Sequence, residues 1–434
     1  MKNLKSVSFV TLGCKVNQYE TNAMIQKFIE HGYKVLEHDQ KADVYIINTC
    51  TVTNIADRKS RQMLRKMKEK NVNAIIVAVG CYAQVAKDEL EEIPEIDLIL
   101  GNNEKVKIVE YVEEYIYQNK KQNELENVMN SIEFSDFGDI TFSEKTRAAI
   151  KIQDGCDRFC SYCIIPYARG RVRSRRPESI ISEIKNISKN GIKEIVITGI
   201  HIASYGKDFK DEYKLIDLLE EIEKIDGIER IRLGSIEPLL ITDEFLNRLK
   251  KIKKICHHFH LSLQSGCDET LKRMNRKYDT KTFREIVSKL RNTYKDVMLT
   301  TDIIVGFPQE TQEEFDKTYK FLEEIKFYKM HVFKYSQRKG TKAASMPNQI
   351  DGKEKERRSK RLIELSNKNQ LEYNKEYVGK EVEILFEEEK KGIFKGHTDN
   401  YILGYCKSNN KIDNKIIKVK CINANQDHID VQEI

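Results

Sequence analysis

Apolar strand-like segments alternate with helical segments in two separate series, and this alternation constrains the fold of the 434-residue chain more than any other feature. Strands separated by helices are typical of βαβ units, whose strands run parallel. The first series predicts strands at 7–13, 43–49, 74–80 and 97–101 and helices at 20–31, 57–70 and 85–92. The amino-terminal part of the chain is therefore predicted to be an α/β domain built on a parallel sheet.

The second series predicts six strand–helix units. Its strands are expected at 149–153, 194–199, 230–235, 259–264, 297–306 and 330–336, and its helices at 177–190, 215–225, 243–252, 280–292 and 312–325. A closed barrel of this type has eight units, so six units predict an open, partial (β/α)6 barrel.

The end of the chain has a different pattern. A highly charged helix is expected at 353–376, and short β-like segments separated by turn residues follow Gly379, which predicts a small β-barrel. The predicted division is an amino-terminal α/β domain at 1–115, a polar linker at 116–145, the partial barrel at 146–372 and the small β-barrel at 373–434.

The cellular compartment bears on the role of the 10 cysteines. The apolar stretch at 7–12 is too short for a signal peptide, and no apolar run reaches the length of a membrane span. We therefore expect a cytoplasmic protein whose thiols stay reduced, in which clustered cysteines indicate metal binding or catalysis before disulfides.

Three cysteines, Cys156, Cys160 and Cys163, lie in one loop after a predicted strand. Such a loop can wrap three thiolates around a [4Fe–4S] cluster and leave the fourth iron open to another ligand. The alternative is a zinc site whose fourth ligand is Asp154, Asp157 or a histidine. Loops at the carboxyl ends of barrel strands are where such folds build active sites.

Cys14, Cys50 and Cys81 each follow a predicted strand of the first series. Because the carboxyl ends of parallel strands share one edge of a sheet, we expect these cysteines to converge and form a second three-cysteine cluster site. Gly13 and Gly80 permit the tight turns that such a site needs. The alternative is three buried thiols that act as small core residues.

Taken together, the two cysteine sets resemble the radical S-adenosylmethionine (SAM) methylthiotransferases over nearly the whole chain, including a carboxy-terminal domain of the TRAM type. The motifs that carry the resemblance are TLGCKVNQYET, NTCTVTNIADRKSRQ, GCYAQ, GCDRFCSYCIIPYARGRVRSR, HLSLQSGCDETLKRMNRKY and DIIVGFPQET. The first two look like the MtaB-type branch. The other branches modify isopentenyladenosine in tRNA or an aspartate of a ribosomal protein.

The resemblance implies two [4Fe–4S] clusters, two SAM molecules and transfer of a methylthio group to C2 of N6-threonylcarbamoyladenosine beside the tRNA anticodon. It also implies an electron donor such as flavodoxin or ferredoxin, and no catalytic residues beyond the clusters, because the cofactors carry the chemistry. The family's barrel positions that contact SAM match Gly199, His201, Ser235, Glu237, Ser262, Gln264, Ile303 and Gly306.

A basic run directly follows the loop of Cys156, Cys160 and Cys163 and suggests contact with nucleic acid. Its arginines are Arg169, Arg171, Arg173, Arg175 and Arg176. Guanidinium groups bind phosphates well, and the net charge of +7 favours an anionic partner, although charge runs are often only solvated. Phe394, Tyr401 and Tyr405 of the small β-barrel suggest base stacking. We expect a monomer that binds the tRNA anticodon loop and no membrane; the alternative function is a non-catalytic, metal-containing RNA-binding protein.

Overall fold

A six-stranded parallel sheet forms the amino-terminal domain in the computed structural model, which describes residues 6–118, 122–141 and 146–434. Its strands are β1 (Ser6–Thr11), β2 (Lys34–Leu36), β3 (Val44–Thr49), β4 (Ile75–Gly80), β5 (Leu98–Leu100) and β6 (Gln122–Glu124). Its helices are α1 (Lys15–Glu30), α2 (Asn54–Lys70), α3 (Cys81–Val85), α4 (Lys87–Glu91) and α5 (Ile108–Gln118), with a 3₁₀ turn at Glu104–Lys107.

The order of these strands is β2-β1-β3-β4-β5-β6, and hydrophobic cores cover both faces of the sheet. Central strands β3 and β4 are buried along their whole length, which is why their sequences are almost continuously apolar. The order reverses between β1 and β3, and open α/β sheets bind ligands at such a point, outside the carboxyl ends of the strands. The predicted α/β class is confirmed, and short edge strands β2 and β6 are added to it.

Six parallel strands form the predicted partial barrel. The strands of this region are β7 (Arg147–Asp154), β8 (Arg173–Ser174), β9 (Glu194–Gly199), β10 (Arg230–Leu233), β11 (Ser235–Ile236), β12 (His258–Gln264), β13 (Met298–Val305) and β14 (Lys329–Lys334). They form two sheets, β10-β9-β7-β8 and β11-β12-β13-β14. Only Gly234 separates β10 from β11, so these two segments count as one barrel strand, and β8 is a short antiparallel addition to β7.

Helices cover the outside of this barrel and bury its outward-facing aliphatic side chains in one large core. They are α6 (Ile165–Arg169), α7 (Pro177–Lys189), α8 (Leu215–Ile222), α9 (Asp243–Leu249), α10 (Asp268–Arg273), α11 (Thr280–Thr293) and α12 (Gln312–Ile325), with 3₁₀ turns at Ile202–Ser204, Pro238–Leu240 and Lys342–Ser345. Helix α12 begins with a reciprocal capping box, in which Thr311 and Glu314 each accept a hydrogen bond from the other's backbone N–H.

A long helix, α13 (Gly352–Lys375), leads to the carboxy-terminal domain. This domain is a closed barrel of order β15-β16-β17-β19-β18. Its strands are β15 (Glu381–Lys390), β16 (Ile393–Thr398), β17 (Leu403–Lys407), β18 (Ile416–Ala424) and β19 (Ile429–Glu433). The predicted small β-barrel is thus confirmed.

The small β-barrel packs against the amino-terminal ends of the larger barrel's strands. Arg232 donates to the Asp399 carbonyl at 2.8 Å, and the ring of Tyr401 stacks between His258 and His397, at 4.4 and 4.8 Å. The prediction of an exposed stacking surface is wrong for Phe394, which is 5% exposed in the core of the domain. It is also wrong for Tyr401, because the two imidazoles already occupy both faces of its ring.

Within the segment predicted as a linker, helix α5 ends at Gln118 and β6 pairs with β5. A 3₁₀ turn follows at Val128–Asn130. Residues 119–121 and 142–145 of this segment lie outside the described residues. In the ranges that are described, no helix is both long enough and apolar enough to cross a membrane.

Candidate functional site

The first cysteine set lies in the loop between β7 and α6, at the carboxyl end of β7. Gly155 opens this loop with a φ of +69°, and a Cβ atom there would lie 1.8 Å from the Arg171 carbonyl oxygen. The loop therefore requires glycine at this position. The N–H of Cys156 donates to the Gly170 carbonyl at 3.0 Å, which folds the two ends of the loop onto each other.

The three thiols of this loop are close enough to oppose one another's ionisation. Burial raises the pKa of Cys163 to about 12, and the neighbouring Cys160 adds to the increase. Burial likewise raises the pKa of Cys156 to about 11, again with a contribution from Cys160. Three thiolates in this position need a bound cationic group, and iron–sulfur clusters supply one to such ligands.

An arginine that the sequence reasoning missed contacts this set. Arg276 Nη1 donates to Cys160 Sγ at 3.3 Å, and Nη2 pairs with Glu237 at 2.8 Å. His201 lies 3.6 Å from the same Glu237 oxygen. Arg276 stands inside the motif LKRMNRKY, but its reach to a cysteine over a hundred residues away left no signal in the sequence.

The second cysteine set lies at the carboxyl ends of β1, β3 and β4, which are neighbours in the sheet. Cys14 is the residue before α1, Cys50 follows β3, and Cys81 begins α3. Burial, with smaller contributions from Cys81 and Cys14, raises the pKa of Cys50 to about 11. The fold therefore brings together three cysteines that are far apart in sequence.

Glycines make this convergence possible. A Cβ atom on Gly13, whose φ is +102°, would lie 2.8 Å from Cys50 Sγ. A Cβ atom on Gly80, whose φ is +101°, would lie 2.7 Å from the Asn48 side-chain oxygen. Both positions combine a left-handed conformation with a close approach, so both turns depend on the absence of a side chain.

The geometry bears on the two alternatives left open by the sequence. Across 6–118, 122–141 and 146–434, no three His, Cys, Asp or Glu side chains converge tightly enough to hold a single metal ion. The thiolates of a [4Fe–4S] cluster bind separate irons and lie further apart than the ligands of one zinc ion. Cys14 is exposed, which disfavours the reading of the second set as small core residues.

A cavity of about 240 Å³ lies beside the first cysteine set and the segment that follows Cys50. Cys163 of the first set lines it, and so do Val52 and Thr53, which follow Cys50. Its other walls come from the loop after Cys160 and from the carboxyl ends of β12, β13 and β14. Those lining residues include Tyr162, Gln264, Asp302, Ile304, Phe333 and Ser336. A molecule in this cavity would therefore contact Cys163 of the first set and the segment directly after Cys50.

Six of the residues matched to SAM contacts lie at carboxyl ends of barrel strands on the side of the first cysteine set. These are Gly199, His201, Ser235, Glu237, Ser262 and Gln264. Ile303 is fully buried in the core beneath the outer helices, so its side chain does not reach the cavity, and the adjacent Ile304 lines it instead. Gly306 faces the side chain of Lys355, and its N–H donates to Glu310 at 2.6 Å.

The arginine run divides into buried and exposed members. Arg169, Arg173 and Arg175 are at most 1% exposed. Their guanidinium groups are held by protein oxygens, so these three are not free to bind a phosphate, and the prediction of nucleic-acid contact is wrong for them. Arg171 and Arg176 are exposed on the surface and stack over Phe159 and Phe209, both at 5.0 Å.

A buried charge network joins the amino-terminal domain to the barrel; we call it the interdomain network. Glu20 of α1 accepts ion pairs from Lys105 at 2.6 Å, from Lys151 at 2.7 Å and from Arg169 at 2.8 Å. Asp154 pairs with Lys151 at 2.6 Å and with Arg169 at 3.0 Å. Burial alone would raise the pKa of Glu20, but its three cations hold that pKa well below the ordinary value.

Comparison with known proteins adds a family context. The family described as Uncharacterized protein family UPF0004 matches residues 6–101, and the Radical SAM superfamily matches residues 150–322. The threonylcarbamoyladenosine tRNA methylthiotransferase MtaB of Bacillus subtilis is 43% identical over 97% of this chain and 94% of that protein. The MtaB of Aquifex aeolicus is 41% identical over 91% and 95%, respectively.

Other relatives carry a different name. A tRNA-2-methylthio-N(6)-dimethylallyladenosine synthase of Thermoanaerobacter sp. is 39% identical over 87% of this chain and 81% of that protein. Among solved structures, the radical S-adenosylmethionine methyltransferase TsrM of Kitasatospora setae matches with a TM-score of 0.58 and 14% identity, over 79% of this chain and 74% of TsrM. At that identity the similarity concerns the fold alone.

Proposed function

The chain belongs to the MtaB-type radical SAM methylthiotransferases, and from this membership we propose that it transfers a methylthio group to C2 of N6-threonylcarbamoyladenosine in tRNA. The observation that carries the proposal is the presence of two three-cysteine sets in one chain, with a cavity lined by Cys163 of one set and by Val52 and Thr53 after Cys50 of the other. A sulfur-inserting reaction at an unactivated C–H bond needs both a sulfur carrier and a radical generator within reach of the same atom.

Each cysteine set would hold one [4Fe–4S] cluster through its three thiolates, and the barrel cluster would bind SAM. These groups supply the methyl group, the sulfur and the radical when they are bound. The chain's own residues bind these groups, orient them and shield them from solvent. The crowded thiols of both loops, with pKa values raised by burial and by one another, fit such a donor set.

Several side chains of the barrel mouth are suited to hold SAM. Glu237 is fixed by Arg276 and lies near His201, which makes a rigid polar wall beside Cys160. The pKa of Glu237 is lowered, because His201 and Arg276 outweigh the effect of burial, so this wall keeps a negative charge. A carboxylate there is suited to the sulfonium or the amino group of SAM.

The adenine of the tRNA nucleoside is expected to enter the cavity beside Cys163. Tyr162 and Phe333 offer aromatic rings on its walls, and Gln264, Asp302 and Ser336 offer hydrogen-bonding groups. A base in an anticodon loop is unpaired, so its extrusion into such a pocket costs less than the opening of a duplex. These groups are the ones we propose to select the modified base.

The anticodon arm is expected to approach across an open cleft next to this cavity. The cleft is lined by Asn54, Tyr167, Lys339 and Lys342, among others, and the ring of Tyr167 is 45% exposed. Lysines near exposed aromatic groups are typical of surfaces that bind unpaired RNA. Arg171, on the outer face of the cluster loop, adds a further exposed cation. Such contacts position the tRNA without reading its sequence.

Mass spectrometry of tRNA nucleosides from a deletion strain tests the proposal. Loss of the methylthio form of threonylcarbamoyladenosine, with methylthio-isopentenyladenosine retained, is the expected result, and re-expression of the chain should restore it. Because relatives at 39% identity are named dimethylallyladenosine synthases, isopentenyladenosine is the second candidate substrate. Loss of methylthio-isopentenyladenosine alone would establish isopentenyladenosine as the substrate. Retention of both methylthio nucleosides would contradict both candidate substrates.

Iron content tests the cofactor assignment separately. Anaerobic reconstitution should give about eight irons per chain, two four-iron clusters. Alanine at Cys14, Cys50 and Cys81 should leave about four, whereas alanine at Cys267, a buried thiol outside both sets, should leave eight. An electron donor such as flavodoxin or ferredoxin, a monomeric state and a cytoplasmic location remain predictions.

A further inference from the structure

Arg169 connects the two cysteine sets through a single side chain. Its Nε donates to Cys81 Sγ at 3.2 Å, and its Nη1 donates to both carboxylate oxygens of Asp154, at 3.0 and 3.1 Å. Its Nη2 donates to Asn17 at 2.8 Å and to Glu20 at 3.1 Å. The side chain is fully buried, so all three nitrogens of the guanidinium are fixed by protein partners.

The backbone position of Arg169 matters as much as its contacts. Arg169 ends α6, the helix that directly follows the loop of Cys156, Cys160 and Cys163. Asp154 stands two residues before Cys156, at the other end of the same loop. Arg169 therefore belongs to the segment that carries the barrel set, while its Nε–H binds a cysteine of the amino-terminal set. A displacement of either set would break this contact.

The formal charges of the interdomain network point to a ligand thiolate as its missing member. Lys105, Lys151 and Arg169 are the cations, and Glu20 and Asp154 are the anions, so the ion-paired groups carry one net positive charge, and the buried Arg173 near Asp154 adds to it. An uncompensated buried charge is strongly unfavourable. A metal-bound cysteine is a thiolate, so Cys81 in that form offsets part of this charge, and Arg169 is the cation that touches it.

We propose that Arg169 is a positioning residue that holds the amino-terminal cluster at a fixed distance from the barrel cluster and raises its reduction potential through a charged N–H···S bond to Cys81. The inference rests on the proposed function, because it requires a cluster on Cys14, Cys50 and Cys81. Hydrogen bonds to ligand sulfurs and nearby cations stabilise the reduced, more negative cluster and thereby raise its potential.

Two substitutions separate the effects of charge and geometry. Arg169→Gln removes both the positive charge and the planar set of guanidinium N–H donors. Arg169→Lys keeps the charge but lacks that planar set of donors. Arg175→Gln is the matched control. Arg175 is also fully buried and also joins the two domains, but its side-chain partners in the described part of the chain are Glu183, Tyr19, Asp136 and Ser179 and the Gly138 carbonyl.

The experiment is a redox titration of the reconstituted full chain followed by electron paramagnetic resonance. Addition of SAM changes the spectrum of the barrel cluster and so identifies the other signal as the amino-terminal one. Arg169→Gln should lower the midpoint potential of the SAM-insensitive cluster and change the magnetic coupling between the reduced clusters. Arg169→Lys should restore part of the potential shift, and Arg175→Gln should leave potential and coupling at wild-type values, whatever stability it loses.

The outcomes distinguish this inference from the proposed function. A wild-type chain with about eight irons, in which Arg169→Gln leaves potential and coupling unchanged, would overturn the role of Arg169 alone. Equal shifts in Arg169→Gln and Arg175→Gln would overturn it too, because a general loosening of the interface would then explain both. About four irons in the wild-type chain would overturn the amino-terminal cluster and, with it, this inference.

Discussion

Replacement of Glu20 by glutamine should destabilise the chain far more than a typical ion-pair mutation. Glu20 is 1% exposed and accepts ion pairs from three buried cations, all at 2.8 Å or less. Glutamine keeps the shape but removes the charge, so Lys151 and Arg169 keep only Asp154 as a carboxylate partner. Removal of one partner from a buried ion pair costs about 3–5 kcal/mol in the free energy of unfolding.

An exposed ion pair of similar geometry provides the comparison. Arg284 binds Glu324 through two contacts of 2.5 and 2.9 Å, but both side chains are about half exposed. Glu324→Gln should therefore cost at most about 1 kcal/mol. The two variants differ in burial and not in contact distance, so the difference in their stabilities isolates the contribution of burial.

Equilibrium urea unfolding of the cluster-free, reduced chain measures both variants. The chain has no tryptophan, so tyrosine fluorescence and far-ultraviolet circular dichroism are the signals. Coincident transitions from the two signals are required before the free energies are compared. Equal losses of stability in Glu20→Gln and Glu324→Gln would refute the reasoning, because the interdomain network would then contribute no more than a surface pair.

The same variant carries a pH dependence whose sign follows from the lowered pKa of Glu20. An unfolded glutamate takes up a proton near pH 4.3, while the folded Glu20 stays ionised to lower pH. The contribution of ionised Glu20 to the free energy of unfolding is thus fully present above about pH 5. As the pH falls below about 4, this contribution decreases by about 1.4 kcal/mol per pH unit. The stability gap between wild type and Glu20→Gln should shrink in that acidic range only; a gap that widens there would contradict the assignment.

Two further substitutions test the cysteine sites. Gly13→Ala places a methyl group 2.8 Å from Cys50 Sγ and should lower reconstituted iron from about eight to about four per chain. Gly32→Ala is the control, because Gly32 also has a positive φ but has open space around it, and this variant should keep about eight irons. Arg276→Gln removes the N–H···S contact to Cys160 and should slow formation of 5′-deoxyadenosine from SAM at least tenfold with iron content unchanged; a wild-type rate would show that the contact is dispensable.

The sequence was sufficient to predict the convergence of the amino-terminal cysteines. Hydrophobic strand patterns locate the strand ends, and parallel pairing puts those ends on one edge, so Cys14, Cys50 and Cys81 meet without any local spacing motif. The barrel set, in contrast, was predicted from the local spacing of Cys156, Cys160 and Cys163 in one loop. Only the amino-terminal set depends on the direction of strands, which the alternation of strands and helices determines.

Side-chain partners over long sequence separations were not predictable in this way. In the sequence, the arginine run resembles a phosphate-binding surface. In the structure, however, Arg169 pairs with Glu20 and Arg175 pairs with Glu183, and both arginines are buried. Ile303 was matched from the family's barrel positions, whereas its neighbour Ile304 is the residue that lines the cavity. Tyr401 was expected at the surface because the docking of one domain against another is not encoded in local patterns.

The charged character of the interdomain network has a physical rationale in the reaction. A buried ion network is a poor way to gain stability, because well-packed apolar side chains of the same volume stabilise a protein at least as well. Apolar surfaces, however, can slide over one another, whereas the fork of Arg169 binds Glu20, Asp154 and Cys81 in only one relative position. Two cofactor sites that act on one adenine need that fixed position more than they need additional stability. We therefore infer that the network is retained for the spacing of the two sites, which is the property that the cluster-coupling measurement on Arg169→Gln reports.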